Sequence, residues 1–177
     1  MRVIAGTYRG RTLKAPPGES TRPTSDRVRE ALFSILNGRI REARVLDLFA
    51  GSGALGLEAL SRGAALATFV DTDPKAIAAV KANLDALKTV AEVRRNDALR
   101  FLSAAPARGA QYDLVFIDPP YRLAERLAPS LSEALPAVLA PGAVAVAESD
   151  RRAPLALDLP LQDERRYGDT LIRIYGH

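Results

Sequence analysis

The sequence predicts an α/β fold with a doubly wound, mostly parallel sheet, and two observations lead to that prediction. From Arg44 onward, short apolar runs typical of buried strands alternate with segments of helical periodicity. Repeated strand–helix units imply a parallel sheet covered by helices on both faces. Near the end of the chain only Gly168-Asp169-Thr170 separates two strand-like runs. That link is too short for a crossover helix, so the last pair is predicted to form an antiparallel hairpin.

The first 40 residues are predicted to form a small basic extension, followed by the main domain over residues 41–177. Apolar and basic residues alternate over residues 2–14, which predicts a β-hairpin. A helix follows, with Thr24 or Ser25 as its N-cap. The extension is too small for a core of its own, so we expect it to pack on the main domain.

The main domain repeats one unit, an apolar strand followed by a helix. Strands are predicted over residues 45–49, 67–71, 92–95, 114–117, 144–148, 161–167 and 171–175. Helices are predicted over residues 54–62 and 98–105, from Pro74 onward and within 123–139. Asp73 before Pro74 is a favoured N-cap and first-turn pair.

Composition limits both location and chemistry. The chain of 177 residues is 47% hydrophobic and 26% charged, which fits one soluble domain. It contains no apolar run of the roughly 18–20 residues that would span a bilayer, and its start lacks an export signal, so we expect a cytoplasmic monomer with no membrane partner. Cysteine is absent and the one histidine is His177. We therefore expect no metal site, and any catalysis would use carboxylates, backbone groups and a cofactor.

Positive charge is concentrated in the first quarter of the chain. Residues 1–44 contain ten Arg or Lys and four acidic residues, whereas the whole chain has a net charge of only +4. This asymmetry favours a polyanionic partner for the basic segment. Arginines solvated on an ordinary exposed surface are the alternative.

The string Asp118-Pro119-Pro120-Tyr121 directly follows a predicted strand. Two consecutive prolines cannot donate to a sheet ladder, so the strand must end there. The resulting rigid loop carries a carboxylate, backbone carbonyls and an aromatic ring. This set is suited to holding a planar amino group by its N–H donors while stacking on the ring that bears it. An ordinary turn, with Tyr121 packed beneath it, is the alternative.

A glycine loop follows the first strand of the main domain, with glycines at positions 51, 53 and 56. Glycines allow backbone amides to approach a ligand at a helix N-terminus, although these three could also serve helix–strand packing alone. Asp71 ends the next strand, where a carboxylate can accept hydrogen bonds from ribose hydroxyls. The same features fit a dinucleotide site.

Three further features favour S-adenosylmethionine over a dinucleotide. Asp47 lies in the first strand, where its carboxylate would repel a pyrophosphate but suit an ammonium or sulfonium group. Asp97 follows the third strand and can accept a hydrogen bond from an adenine amino group. The loop that contains Asp118 has no evident use in hydride transfer. Asp47 could instead pair with an arginine, and Asp97 could be a helix N-cap.

The chain resembles the class I methyltransferases, and within them the bacterial family that methylates N2 of a guanine in small-subunit (16S) ribosomal RNA. The strings that carry this resemblance span nearly the whole chain: residues 2–6, Thr21-Arg22-Pro23-Thr24, Arg27-Val28-Arg29-Glu30, 47–53, 118–121 and Tyr167-Gly168-Asp169-Thr170. The resemblance implies a Rossmann-like fold, S-adenosylmethionine as methyl donor, and 16S ribosomal RNA or the small ribosomal subunit as partner.

This interpretation assigns roles to the candidate residues. Asp118 and the Pro119 carbonyl would accept the two N–H bonds of the amine, and Tyr121 would stack on the base. Cofactor-binding residues would be Asp47, Gly51, Gly53, Asp71 and Asp97. Candidate RNA contacts are Arg9, Arg11, Arg22, Arg27 and Arg29, although Arg22 and Arg27 could instead brace the active-site loops.

Other functions are compatible with parts of the sequence. An N6-adenine DNA methyltransferase could use the same loop, but no segment is large enough for a sequence-recognising DNA domain. A nucleotide-binding oxidoreductase could use the glycine loop. A non-catalytic RNA-binding module would not need the full set of acidic residues.

Overall fold

The computed structural model describes residues 1–17 and 25–177. Within these ranges one sheet of seven strands has the order β3-β2-β1-β4-β5-β7-β6. Its strands are β1 Arg44–Leu48, β2 Leu66–Asp71, β3 Glu92–Arg95, β4 Tyr112–Ile117, β5 Leu139–Asp150, β6 Leu161–Tyr167 and β7 Thr170–Gly176. The helices are α1 Asp26–Ile35, α2 Ala54–Ser61, α3 Pro74–Leu87, α4 Ala98–Ala104 and α5 Tyr121–Ala134. Strands β1–β5 pair in parallel, and β7 pairs antiparallel with β5 and β6. The predicted α/β class and the C-terminal antiparallel hairpin are confirmed.

Local sequence explains where the helices begin. The Ser25 hydroxyl accepts a hydrogen bond from the Val28 amide at 3.3 Å, so Ser25 is the N-cap of α1. Thr24, the other candidate cap, lies outside the described residues. Asp73 caps α3 ahead of Pro74, as the sequence predicts. Side-chain acceptors at these positions satisfy N–H groups that have no partner within the helix.

The sheet buries two apolar layers because strand side chains alternate between its faces. On one face, Phe69, Phe116 and Val146 pack in the same cluster as Phe33 of α1 and Val80 of α3. The opposite face forms a second cluster, which includes Val115 and Ala147 with Phe101 of α4 and Leu131 of α5.

Strand order places two loops side by side. β1 lies between β2 and β4, so the chain proceeds outward in both directions from β1. Because β1–β5 are parallel, their C-terminal ends lie at the same edge of the sheet, here called the carboxyl edge. Ligands of doubly wound folds bind at this edge, where the direction of winding reverses. In this chain the reversal lies between the ends of β1 and β4.

The N-terminal extension forms a short and irregular version of the predicted β-hairpin, in which the Val3 amide donates to the Arg11 carbonyl at 2.9 Å and the Leu13 amide donates to the Met1 carbonyl at 3.0 Å. Its two arms share one isolated antiparallel bridge, between Arg2 and Thr12. The amides of Ile4 and Ala5 donate to the Glu58 carboxylate of α2 at 2.8 and 3.0 Å, in place of a regular strand partner. The extension is therefore fastened to α2 by side chains. The domain boundary at residue 40 stays a prediction.

Several element boundaries also differ from the sequence prediction, and two of them affect the region around the proline loop. β5 extends to Asp150 because β7 pairs with it as far as Thr170. α5 begins at Tyr121, not at Leu123, so the aromatic residue of the proline loop lies in the first turn of a helix. No helix within residues 1–17 and 25–177 is long and apolar enough to cross a membrane.

Candidate active site

The glycine loop contains residues in the left-handed region of backbone conformation. Phe49, Gly51 and Gly53 have φ values of 65°, 54° and 78°. A Cβ atom added at Gly51 would meet no atom within 4 Å, so this part of the loop faces open space. At Gly53 the added atom would lie 3.1 Å from Val80 Cγ2. Gly51 is thus the position where a ligand can approach the backbone.

Gly56, the third glycine, has a packing role. A Cβ atom at this position would lie 2.3 Å from Phe69 Cε1 and 3.2 Å from the Asp47 carboxyl oxygen Oδ2. Its absence allows α2 to lie close against β2. Gly56 therefore serves helix–strand packing, which was one of the two roles that the sequence allowed. Gly51 has no such packing role, because nothing lies within 4 Å of an added Cβ.

The Asp71 side chain joins the glycine loop to the segment that follows β2. Its Oδ2 accepts a hydrogen bond from the Gly51 amide at 2.9 Å, and its Oδ1 accepts one from the Asp73 amide at 2.9 Å. The carboxylate is half-buried at the carboxyl edge. It is placed beside the open surface at Gly51, where its remaining lone pairs can accept further hydrogen bonds.

Asp47 lies beneath the same loop. It is buried, and its Oδ2 accepts a hydrogen bond from the Gly56 amide at 2.9 Å. Burial, together with the nearby charge of Asp71, raises the pKa of Asp47 to about 8. The carboxyl group supports the first turn of α2, with a backbone amide as partner and not the arginine that the sequence left open. Its contact with a cofactor stays a prediction.

Asp97 is an exposed residue after β3. Its Oδ1 accepts a hydrogen bond from the Arg100 amide at 3.0 Å, which makes it the N-cap of α4. The alternative role named from the sequence, that of a helix N-cap, is therefore confirmed. The position at the carboxyl edge leaves the predicted adenine contact as a second role.

The proline loop lies at the end of β4. Asp118 is half-buried, Pro119 is buried, and Pro120 directly precedes the first residue of α5. Tyr121 is 37% exposed, and the side chain of Thr170 lies near its phenol. Burial and the negative charge of Glu148 raise the pKa of the Tyr121 phenol. The ring is thus held at the carboxyl edge with a surface available to a base.

Sequence analysis missed two residues next to this loop. Thr170 belongs to one of the strings that carry the family resemblance, and Glu148 is the last residue of a predicted strand. Neither residue is among the predicted site residues. β5 runs parallel to β4 in a register that pairs Ile117 with Ala147. Glu148 is buried and follows Ala147 directly. A buried acid at the carboxyl end of an apolar strand is the pattern that could have identified it.

The prediction that Arg29 contacts RNA is wrong. Its side chain is fully buried, and Nη2 donates to Asp26 Oδ1 at 3.0 Å and to the Arg2 carbonyl. Nε lies 4.0 Å from Glu58 Oε2. Burial lowers the pKa of this guanidinium, against the opposing effect of the two carboxylates. Arg29 precedes the buried Leu32 and Leu36 by three and seven positions, a helical spacing that indicates a buried face.

The other candidate RNA contacts do not form one group. Arg9 and Arg27 are exposed, whereas the exposed Arg11 donates from Nη2 to the Ala86 carbonyl at 2.7 Å. The Tyr8 amide, next to Arg9, donates to Ser61 Oγ in the last turn of α2. α2 begins at the glycine loop, so Arg9 lies at the end of this helix that is away from the site. Arg22 lies outside the described residues.

Arg27 lies in the first turn of α1. The segment after this helix approaches the opposite edge of the sheet, where Arg39 donates to the Gly142 carbonyl near the start of β5. α1 has ten residues and rises about 1.5 Å per residue, so its first turn lies about 15 Å from its C-terminal end. Arg27 therefore lies on the side of the carboxyl edge. Further exposed arginines, which are not among the sequence-predicted RNA contacts, lie after Pro120 or after the end of β5 at the carboxyl edge: Arg122, Arg151 and Arg152.

Comparison with known proteins places the chain among methyltransferases. A family model described as Conserved hypothetical protein 95 matches residues 1–176. "Putative rRNA methyltransferase YlbH" of Bacillus subtilis is 44% identical over 182 residues, which cover 99% of this chain and 98% of that protein. Ribosomal RNA small subunit methyltransferase D of Haemophilus influenzae is 40% identical over 182 residues, with 99% and 93% covered.

A solved structure shares the architecture. It is described as "Putative methyltransferase yhhF from Escherichia coli", is 40% identical, and has a TM-score of 0.84 over 100% of this chain and 97% of that chain. The fold is the Rossmann-like fold of class I methyltransferases, as the sequence predicts.

Proposed function

The chain belongs to the Conserved hypothetical protein 95 family, and we propose that it methylates small-subunit ribosomal RNA. We propose specifically that it transfers a methyl group from S-adenosylmethionine to the exocyclic N2 amine of a guanine. Relatives with 40–44% identity over nearly the whole chain carry names that refer to ribosomal RNA methylation, which supports the coarser part of this proposal.

One observation carries the chemical part, namely the adjacency of the two loops. β1 and β4 pair in parallel with Leu48 opposite Ile117. Neighbouring strands lie about 4.8 Å apart, so the glycine loop after β1 and the proline loop after β4 leave the sheet side by side. A donor held at the first loop would face an amine held at the second.

Residues along the carboxyl edge fit S-adenosylmethionine. The open surface at Gly51 suits the amino acid part of the molecule, and the half-buried Asp71 suits the ribose hydroxyls. Gly53 shapes the loop, Asp97 lies where adenine would extend, and Asp47 supports the loop from beneath. When bound, the cofactor supplies an electrophilic methyl group on a sulfonium.

The proline loop is suited to activate the amine. The lone pair of an aromatic exocyclic amine is conjugated with its ring, so the nitrogen is a poor nucleophile. The Asp118 carboxylate and the Pro119 carbonyl would accept its two N–H bonds, orient the lone pair and stabilise the positive charge that develops on nitrogen. Alignment of two bound reactants can contribute on the order of 7–11 kcal/mol. The extra proton leaves to Asp118 or to water.

Tyr121 would hold the base. The residue is partly exposed, and its phenol lies near the Thr170 side chain. Stacking of a base on an aromatic side chain is worth roughly 1–3 kcal/mol, and it requires that the base leave its own stack. Arg9, Arg11 and Arg27 are proposed to contact the phosphate backbone.

The test is transfer of labelled methyl groups from S-adenosylmethionine to unmodified small-subunit RNA and to small subunits, followed by nucleoside analysis. We expect N2-methylguanosine as the labelled product. Label in N6-methyladenine, with DNA as the better acceptor, would overturn the proposal in favour of an adenine methyltransferase.

A further inference from the structure

Glu148 lies next to Asp118 in the sheet. β4 and β5 are parallel, with Phe116 opposite Val146 and Ile117 opposite Ala147. The next residues along the two chains are Asp118, which directly follows the end of β4, and Glu148, which lies within β5. Strand side chains alternate with a period of two, so Glu148 lies on the same face as Val146, whose cluster also contains Phe116. Neighbouring strands are about 4.8 Å apart, so Asp118 leaves β4 beside Glu148.

The surroundings direct Glu148 toward the base site. Only 4% of Glu148 is exposed. Its negative charge raises the pKa of the Tyr121 phenol, so Glu148 lies within electrostatic reach of the ring proposed to stack on the base. Asp150, on the same face, accepts a hydrogen bond from the Arg152 amide at 2.8 Å and so shapes a turn.

Two carboxylates match the hydrogen-bonding edge of guanine. Beside its N2 amine, guanine presents an N1–H donor, so this edge donates to both groups at once. Adenine presents an N1 lone pair beside its N6 amine, and a carboxylate facing that lone pair would be repelled. Building on the proposed function, we infer that Glu148 accepts the N1–H of the target guanine and selects guanine over adenine.

Burial makes this selection effective. A hydrogen bond to a charged group is stronger than one between neutral groups, and in a buried site the repulsion between a carboxylate and the N1 lone pair of adenine is weakly screened. Sites built around such a bond discriminate strongly against analogues that lack the donor. Asp118 and Pro119 alone would treat the amines of guanine and adenine alike.

The first test uses the wild-type protein and an RNA in which the target guanine is replaced by 2-aminopurine. This base keeps the 2-amino group but has a lone pair at N1 in place of N1–H. We expect kcat/KM for methylation of 2-aminopurine to be at least about tenfold below that for guanine. Equal values for the two bases would overturn the inference.

The second test compares Glu148→Gln with wild type on the same two RNAs. The glutamine side chain carries an amide N–H that can donate to the N1 lone pair of 2-aminopurine. The ratio of the guanine and 2-aminopurine kcat/KM values should therefore fall about tenfold or more in this variant. An intrinsic difference in amine reactivity cannot produce this change, because it is common to both proteins.

Asp150→Asn is the matched control, since it removes a carboxylate from the same strand and the same face. It should keep the wild-type base ratio, and an equal loss of selectivity in this variant would contradict the inference. Binding of S-adenosylhomocysteine verifies that each variant is folded. If Glu148→Gln does not fold, equal wild-type values for the two bases still overturn the inference.

The two levels of failure are distinguishable. If wild type labels no guanine at N2, the proposed function fails and takes the inference with it. If wild type forms N2-methylguanosine but uses 2-aminopurine equally well, only the role of Glu148 fails.

Discussion

At the scale of single residues, Asp47 shows how burial changes the role of a carboxyl group. Its position in β1 suggested an anion for a cationic cofactor, yet the side chain is buried and bound to the Gly56 amide. With a pKa raised to about 8, the group is mostly protonated at neutral pH. An approaching sulfonium would favour the ionised form and lower this pKa.

This shift predicts a pH dependence of stability. The pKa of Asp47 is about 8 in the folded protein against a reference value of 3.8, so between these values only the folded state keeps the proton. Its contribution to the free energy of unfolding is complete below about pH 4 and is lost as pH rises to about 8, by on the order of 1 kcal/mol per pH unit.

Asp47→Asn keeps an acceptor for the Gly56 amide but cannot ionise. Relative to wild type, this variant should gain stability between pH 5 and pH 8, as measured by urea unfolding. Asp85→Asn, at an exposed position of α3, controls for the loss of one negative charge. Parallel pH profiles for wild type and Asp47→Asn would contradict the assignment.

Residue roles were the part of the site that sequence predicted least completely. Asp118 and Tyr121 could be selected because proline chemistry defines the loop around them. Arg29 could not be separated from Arg27 by composition, although one is fully buried and the other exposed. Glu148 has a local sign, an acid at the end of an apolar strand, but its place beside the proline loop depends on the register between β4 and β5, which arises from tertiary packing.

At the scale of elements, the glycine loop and α2 combine two functions in one motif. Gly51 leaves open space for a ligand, whereas Gly56 lets α2 approach Phe69 of β2. A three-glycine pattern cannot distinguish these roles, because glycine is required in both cases.

The two glycines should respond differently to alanine. Gly56→Ala places a Cβ 2.3 Å from Phe69 Cε1, and overpacking of this kind typically costs about 1–3 kcal/mol of unfolding free energy. Gly51→Ala meets no neighbour, but its φ of 54° costs an L residue about 1–2 kcal/mol. Because its methyl group would occupy the ligand surface, Gly51→Ala should also weaken S-adenosylhomocysteine binding.

Calorimetry and chemical denaturation measure the two effects separately. Phe69→Leu in the Gly56→Ala background should restore part of the stability, since it shortens the side chain that clashes. Undiminished S-adenosylhomocysteine affinity in Gly51→Ala would argue against a ligand at that position.

The elements themselves were largely predictable. Strand and helix order follow from periodicity and from caps such as Asp73. The N-terminal hairpin was predictable only in part: its arms share backbone hydrogen bonds such as that from the Val3 amide to the Arg11 carbonyl, but the amides of Ile4, Ala5 and Tyr8 donate to side chains of α2. Sequence alternation alone cannot reveal a partner of that kind.

At the scale of the whole molecule, strand order assembles the site. Glycine loop, Asp71, Asp97 and the proline loop come from four separate connections, and parallel pairing brings them to one edge. The exposed arginines are spread over a wider surface than these site residues. Arg27 lies toward the carboxyl edge, whereas Arg9 lies toward the opposite edge, near the C-terminal end of α2. An RNA that contacts both would cross the face covered by α1 and α2.

Salt dependence of RNA binding tests this surface. Removing an arginine that neutralises one phosphate should reduce the slope of log K against log salt by roughly 0.7–0.9. We expect this reduction for Arg27→Gln and about twice this reduction, roughly 1.4–1.8, for the double variant Arg9→Gln and Arg11→Gln. Arg39→Gln, at the opposite edge beside Gly142, should leave the slope unchanged. An unaltered slope in the first two proteins would remove these arginines from the interface.

The central claim is that the Asp118 loop presents a guanine N2 amine to a methyl donor held by the glycine loop. Wild type and Asp118→Ala should be compared for N2-methylguanosine formed in small-subunit RNA, with S-adenosylhomocysteine affinity measured for both. We predict that wild type forms the product and that Asp118→Ala binds the cofactor product equally but forms almost none. Comparable N2-methylguanosine from both proteins, or none from wild type, would contradict the account.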